Sequence, residues 1–182
     1  MDPLATTINP PIRLSVTRSW GNRTLPVNSP EWRALRAGIL ARDNRTCASC
    51  SYASSHPMGR GLKVDHKNGD ASNNDPRNLR IHCPPCEAIR HCGLAGVKGW
   101  VQLANSEMEQ IEIIRRTRQM FEESGTIPRI RQVDPFATRA RIDAVDLANK
   151  LLETDWEGLT DEEKSLRGFF TQDARELFAI TM

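Results

Sequence analysis

Two Cys-x-x-Cys pairs, Cys47-Ala-Ser-Cys50 and Cys83-Pro-Pro-Cys86, constrain this chain more than anything else in it. Four thiolates suit tetrahedral zinc, and each Cys-x-x-Cys turn sets two sulfurs on one side of an ion. If all four share one ion, residues 51–82 become a closed loop that must fold on itself. Four protein ligands leave no open coordination position, so the expected ion is a structural zinc. Four free cysteines in a reduced core is the plainer reading, and their pairing argues against it. The fifth cysteine, Cys92, reads as a buried small apolar residue or a surface thiol and is not taken as a ligand.

A staple of this kind fits the composition. Of 182 residues 38% are hydrophobic, which implies a small, divided core, and small cores often use a metal. Paired cysteines with one left over fit a reducing compartment. The start, Met1 to Thr7, lacks a basic stretch followed by an apolar run, so no secretion signal is expected. No run of about 18 apolar residues exists, so no membrane partner is expected either. The expectation is an intracellular soluble protein of cytoplasm or nucleus, with a viral origin open. The net charge of +2 says little. Its distribution says more: arginines recur through the first three quarters, and acids dominate Glu153 to Glu163.

Three regions follow from the pattern. Residues 1–28, with prolines at 3, 10, 11 and 26, read as an extended arm that wraps the body, or as a disordered tail. Residues 29–99 hold the cysteines. Ser29-Pro30-Glu31 starts a helix that runs to about Asp43-Asn44 and gathers Trp32, Leu35, Ile39 and Leu40 on one face. Leu62 to Val64 and Leu79 to Ile81 read as short strands flanking a loop from Lys67 to Arg77. Pro84 to Cys92 reads as a short helix stopped by Gly93. Residues 100–182 read as helical: a capping box at Ser106 and Glu109 opens a helix ending at Gly125. A linker from Thr126 to Pro135 follows, then a helix from Thr138 to Leu152. Thr160 and Glu163 cap a helix to about Leu166, and a last one covers Gln172 to Ala179. The fold class expected is α+β, with a small zinc-stapled module between an arm and C-terminal helices.

Inside the cysteine frame sit Asp65-His66 and Asn78. Cutting a phosphodiester needs an attacking water, a place for its proton and positive charge near the leaving oxygen. A histidine can take the proton, and carboxylates can hold magnesium or manganese. Adjacent strand residues point to opposite faces, so a twist or bulge must bring Asp65 and His66 to one site.

The stretch from Trp32 to Gly93 resembles the HNH, or ββα-metal, endonucleases. The likeness lies in the Trp-bearing helix, Val64-Asp65-His66, Asn78-Leu79, and Cys83-x-x-Cys86. It implies that His66 is the general base, Asp65 a ligand of the catalytic metal, and Asn78 the brace of the loop that orients the base. The position after the second Cys pair, usually His or Asn and another metal ligand, is Glu87 here. That departs from the family pattern. A glutamate can still hold magnesium, and His91, one helical turn on, can assist. The function this implies is a metal-dependent endonuclease acting on DNA, with cleavage of RNA the weaker alternative. The rival is a zinc-stabilised module whose active site has degenerated, serving as a nucleic-acid- or protein-binding component. His82 reads as packing and His56 as a loop residue. Lys63, Lys67, Arg77, Arg80 and Arg90 near the site, with Arg115, Arg116 and Arg118 beyond it, are candidate phosphate contacts. The C-terminal helices are a candidate surface for a protein partner or self-association.

Overall fold

The structure, a computed structural model, describes residues 11–17 and 23–179. Those residues form an α+β protein with two small antiparallel sheets. The part of the arm that falls on residues 1–10 and 18–22 lies outside the described residues.

Helix α1 (Pro30–Arg42) begins at the Ser-Pro-Glu signal: the Ser29 hydroxyl accepts the Trp32 amide at 3.1 Å. It ends at Asp43, and Asn44 and Arg45, at φ 50° and 52°, turn the chain back toward the first cysteine pair. Strands β1 (Lys63–His66) and β2 (Leu79–His82) pair in a register that sets Lys63 opposite His82 and Asp65 opposite Arg80. Helix α2 (Pro84–Arg90) follows directly, with proline in its first turn, where the missing N–H costs nothing.

The helix expected to stop at Gly93 breaks earlier, at His91 (φ −121°, ψ 54°), and resumes as α3 (Cys92–Val97). The N-terminal segment causes the break: the Cys92 amide donates to the Ser15 carbonyl at 3.0 Å instead of continuing the helix ladder. Gly93 serves packing rather than capping. A Cβ there would lie 2.8 Å from the Ala148 Cβ, and one at Gly96 would lie 3.0 Å from the Ala144 Cβ. These gaps let α3 lie against α6 (Ala144–Glu153).

The expected helical content after residue 100 is corrected most. A three-stranded sheet in the order β4-β3-β5 forms from β3 (Val101–Asn105), β4 (Thr138–Arg139) and β5 (Leu166–Phe170). Partners such as Val101 and Phe170 are far apart in sequence, so no local period marks them. Helix α4 (Gln110–Ser124) does end at left-handed Gly125 (φ 69°) as expected. Its start is later than expected. Ser106 donates to the Asp134 carboxylate at 2.5 Å and accepts the Met108 amide, so no capping box forms with Glu109. A short α5 (Ile130–Val133) lies within the expected linker. The helix expected from Thr138 begins instead at Ala144, capped by Asp143, because Thr138 and Arg139 belong to β4. The Thr160–Glu163 capping box opens α7 (Asp161–Lys164), and α8 (Arg175–Ala179) closes the described chain.

One apolar cluster runs from Leu14 through Ile39, Ile81 and Ile89 to Leu147, Phe170 and Phe178. Leu14, 1% exposed, anchors residues 11–17 to the body, and the Ser15 amide donates to the Ile89 carbonyl. Gly168 on β5 is a meeting point: a Cβ there would lie 2.5 Å from Ile89 Cδ1, 3.0 Å from Val101 Cγ1 and 3.2 Å from Leu14 Cδ2. No helix among the described residues is long and apolar enough to cross a membrane.

Candidate functional site

The four paired cysteines come together. One sulfur from each of Cys47, Cys50, Cys83 and Cys86 lies within 4.8 Å of the others, all buried. The first pair is shaped by Ser51 (φ 62°), whose amide donates to the Cys47 carbonyl, and is tied to β2 by the Ala48 amide donating to Ile81. The second pair spans the start of α2. Hydrogen bonds from Cys50, Cys83 and Cys86 drive the Cys47 thiol far below its usual pKa, while contact with Cys47 drives Cys83 and Cys86 up. Four soft donors sharing protons at this spacing suit zinc. Cys92 is buried outside the cluster, and burial pushes its thiol up to about 12, so it is inert.

A second cluster takes in Glu87, the residue after Cys86 in α2. Asp65, Glu87 and His91 each bring a ligand atom within 4.8 Å of the others. His91 Nε2 is 3.0 Å from Glu87 Oε1, and its Nδ1 is 3.0 Å from the Thr17 hydroxyl of the arm. Asp65 Oδ2 accepts Arg80 Nε at 2.8 Å and Arg90 Nε at 3.4 Å. Burial works to raise the Glu87 pKa, yet the imidazoles of His82 and His91 outweigh it and hold the carboxyl at about 2. Two carboxylates and an imidazole are a donor set for a hard or borderline divalent cation. They fit one here on a structural ground as well: Glu87 Oε2 is buried without a hydrogen-bond partner.

These residues line a cavity of about 60 Å³ together with Thr17, Arg23 and His66. Asp65 and His66 thus open on one space, with His66 at the strand's last position. The His66 ring has two side-chain neighbours. Trp32 of α1 stacks on it at 6.3 Å and 18°. Asn74 Oδ1 lies 3.2 Å from Nε2, and the Asn74 amide nitrogen donates to Thr24 Oγ1 at 2.9 Å, which orients the amide. Nε2 then carries the hydrogen, and Nδ1 keeps the lone pair that a base needs. Asn78 does not touch His66. It braces the loop, donating to Asn68 Oδ1 at 3.0 Å and to the Asn73 carbonyl at 2.9 Å and accepting the Asn68 amide.

The expected phosphate-binding group divides. Arg80 and Arg90 turn inward onto Asp65, and Arg90 also reaches the Ser15 hydroxyl and the carbonyls of His66 and Lys67. Arg115 donates to the Cys50 carbonyl, and Arg118 lies over the Tyr52 ring with Nη2 3.5 Å from Cys83 Sγ. Arg116 pairs with Glu112. A buried carboxylate and a thiol cluster draw guanidinium groups that the sequence alone suggests are free. Lys63, Lys67 and Arg77 remain at the surface, with Lys67 donating to the Arg77 carbonyl and Arg77 paired to Asp75. Arg42, Lys67 and Arg80 line a separate groove of about 510 Å³ beside the first cysteine pair.

Sequence alone does not flag Thr17, Asn74 or His82. Thr17 and Asn74 reach the site across long loops. His82 was expected to pack, yet its Nδ1 lies 3.6 Å from both Asp65 Oδ2 and Glu87 Oε2. The strand register is the signal for it: Lys63 pairs with His82 and Asp65 with Arg80, so all four share one face of the hairpin. In comparisons with known proteins, no family model matches this chain and no curated protein matches it significantly.

Proposed function

We propose that this chain is a metal-dependent endonuclease of the HNH (ββα-metal) kind, acting on DNA, with structural zinc on Cys47, Cys50, Cys83 and Cys86. The observation that supports it most is one cavity shared by a histidine held at Nε2 by Asn74 and a carboxylate–imidazole donor set. Asp65, Glu87 and His91 would hold magnesium or manganese, which when bound supplies positive charge for the phosphorane and the departing oxygen. His66 Nδ1 takes a proton from water, and the water oxygen adds to phosphorus as the bond to the 3′ oxygen breaks. Solvent protonates that oxygen, leaving 5′-phosphate and 3′-hydroxyl ends. Asn74 and Trp32 keep the base in one tautomer and orientation. Lys63, Lys67 and Arg77 meet phosphates flanking the cut.

Plasmid DNA incubated with the zinc-loaded protein and magnesium or manganese tests this. Nicking is expected, and His66→Ala should lower it by about 100-fold or more. Equal cleavage by that variant would remove His66 as the base. A second reading is favoured by one observation: Arg80 and Arg90 already neutralise Asp65. On that reading the chain is a zinc-stabilised nucleic-acid-binding module with a degenerate site. DNA retention with no cutting in any metal would select it, and cutting of RNA alone would change the substrate.

A further inference from the structure

Burying an imidazole is costly unless its nitrogens are matched. His82 is 0% exposed. Its Nε2 is 3.0 Å from the Ser49 hydroxyl, within the first Cys-x-x-Cys turn. Its Nδ1 has no hydrogen-bond partner. Three buried side-chain atoms among the described residues share that condition, and two of them, His82 Nδ1 and Glu87 Oε2, face each other at 3.6 Å. The same Nδ1 stands 3.6 Å from Asp65 Oδ2. A residue kept only for packing needs no nitrogen midway between two carboxylates, and an apolar side chain would fill the space at lower cost.

We infer that His82 is a positioning residue for the cation site, holding the inward oxygens of Asp65 and Glu87 through Nδ1 while Ser49 holds its Nε2. The inference rests on the reading that Asp65 and Glu87 take a divalent cation. Each carboxylate is gripped on a defined oxygen. Asp65 Oδ2 meets Arg80, Arg90 and His82. Glu87 Oε2 meets His82, and Oε1 meets His91. The imidazole is the group common to both carboxylates. At 3.6 Å it lies just beyond hydrogen-bond length, so a shift of roughly half an ångström by either carboxylate completes a bond. Groups behind a metal ligand that fix its orientation commonly govern affinity. Ser49 adds a link from the cysteine cluster to the cation site: Ser49 stands between Cys47 and Cys50, and His82 stands next to Cys83.

Manganese titrated into the zinc-loaded full chain, followed by calorimetry and by the electron paramagnetic resonance of free Mn²⁺, tests this without cleavage. His82→Leu fills the space and removes the nitrogens. Manganese affinity should fall about 10- to 100-fold with zinc content unchanged. His82→Asn returns an amide N–H near the Nδ1 position and should recover most of that loss. Ser49→Ala, which leaves the core intact, should weaken affinity by a smaller factor, and it carries the test if His82→Leu does not fold. Wild-type affinity in His82→Leu or in Ser49→Ala would overturn the inference, as would His82→Asn binding no better than His82→Leu. A wild-type chain that takes up no manganese removes the cation site and this inference together. A wild-type chain that binds manganese through His82 but never cuts DNA keeps the inference and removes the nuclease.

Discussion

The two clusters flanking the first turn of α2 use opposite means to stay in place. In the cysteine cluster, four like donors crowd together, buried, at a spacing that suits an ion. In the acidic cluster, side chains hold the acids: Arg80 and Arg90 pair with Asp65, and the imidazoles of His82 and His91 lie beside Glu87. The first has the donors of a structural zinc site, and the second already has side-chain partners for its acids. A short helix thus carries Cys86 and Glu87 side by side, one committed to stability and the other to a cavity.

The largest test of that contrast is Cys83→Ser. It should lose zinc and more than about 4 kcal/mol of stability, whereas Glu87→Gln should keep its zinc and lose less stability. Thermal melting with metal analysis reads both, and equal losses would erase the distinction. Trp32→Ala comes next, at about 3 kcal/mol, because it removes a buried indole and uncovers one face of His66. Urea denaturation measures it, and an unchanged midpoint would mean that α1 does not support the base. Asn78→Ala is smaller, about 1–2 kcal/mol. Hydrogen exchange should quicken at the Asn68 amide, which Asn78 accepts, while the cysteine cluster keeps its protection. The least effect is expected at Asp75, whose carboxyl sits at about 2 because it accepts from the Arg77 side chain and amide. Its folded pKa lies below its unfolded one. The contribution is therefore full above about pH 4 and lost as pH falls toward 2. A carbon-detected NMR titration with an ordinary midpoint for Asp75 would show that this end of the loop is not closed.

Short-range signals in the chain were readable in advance. The Ser29 cap, the two cysteine turns, the glycine stop at Gly125 and the Thr160–Glu163 box each lie within a few residues of what they control. So do Asp65 and His66, and the bracing role of Asn78 is played within its own loop. The rest depends on register between distant segments. Nothing near Val101 or Leu166 announces that they join one sheet. Ser106 looks like a helix cap until Asp134, far along the chain, takes its hydroxyl. Arg80 and Arg90 look like surface charge until the hairpin places Asp65 beside them. His82 is buried as a packing residue would be, and its nearness to Asp65 and Glu87 is visible only across the strand pair.

Gly168 gives the far end of the chain a hold on the front. The missing side chain is a clearance, and Ile89, Val101 and Leu14 close on it from three directions. Ile89 stands two places after Glu87 on the same helix. A methyl group at 168 would force the side-chain ends of Ile89, Val101 or Leu14 to give way. The sheet formed after residue 100 therefore packs against α2 through Ile89. A fragment ending at Gly99 would carry every proposed ligand of both clusters and lack the sheet that packs against their shared helix.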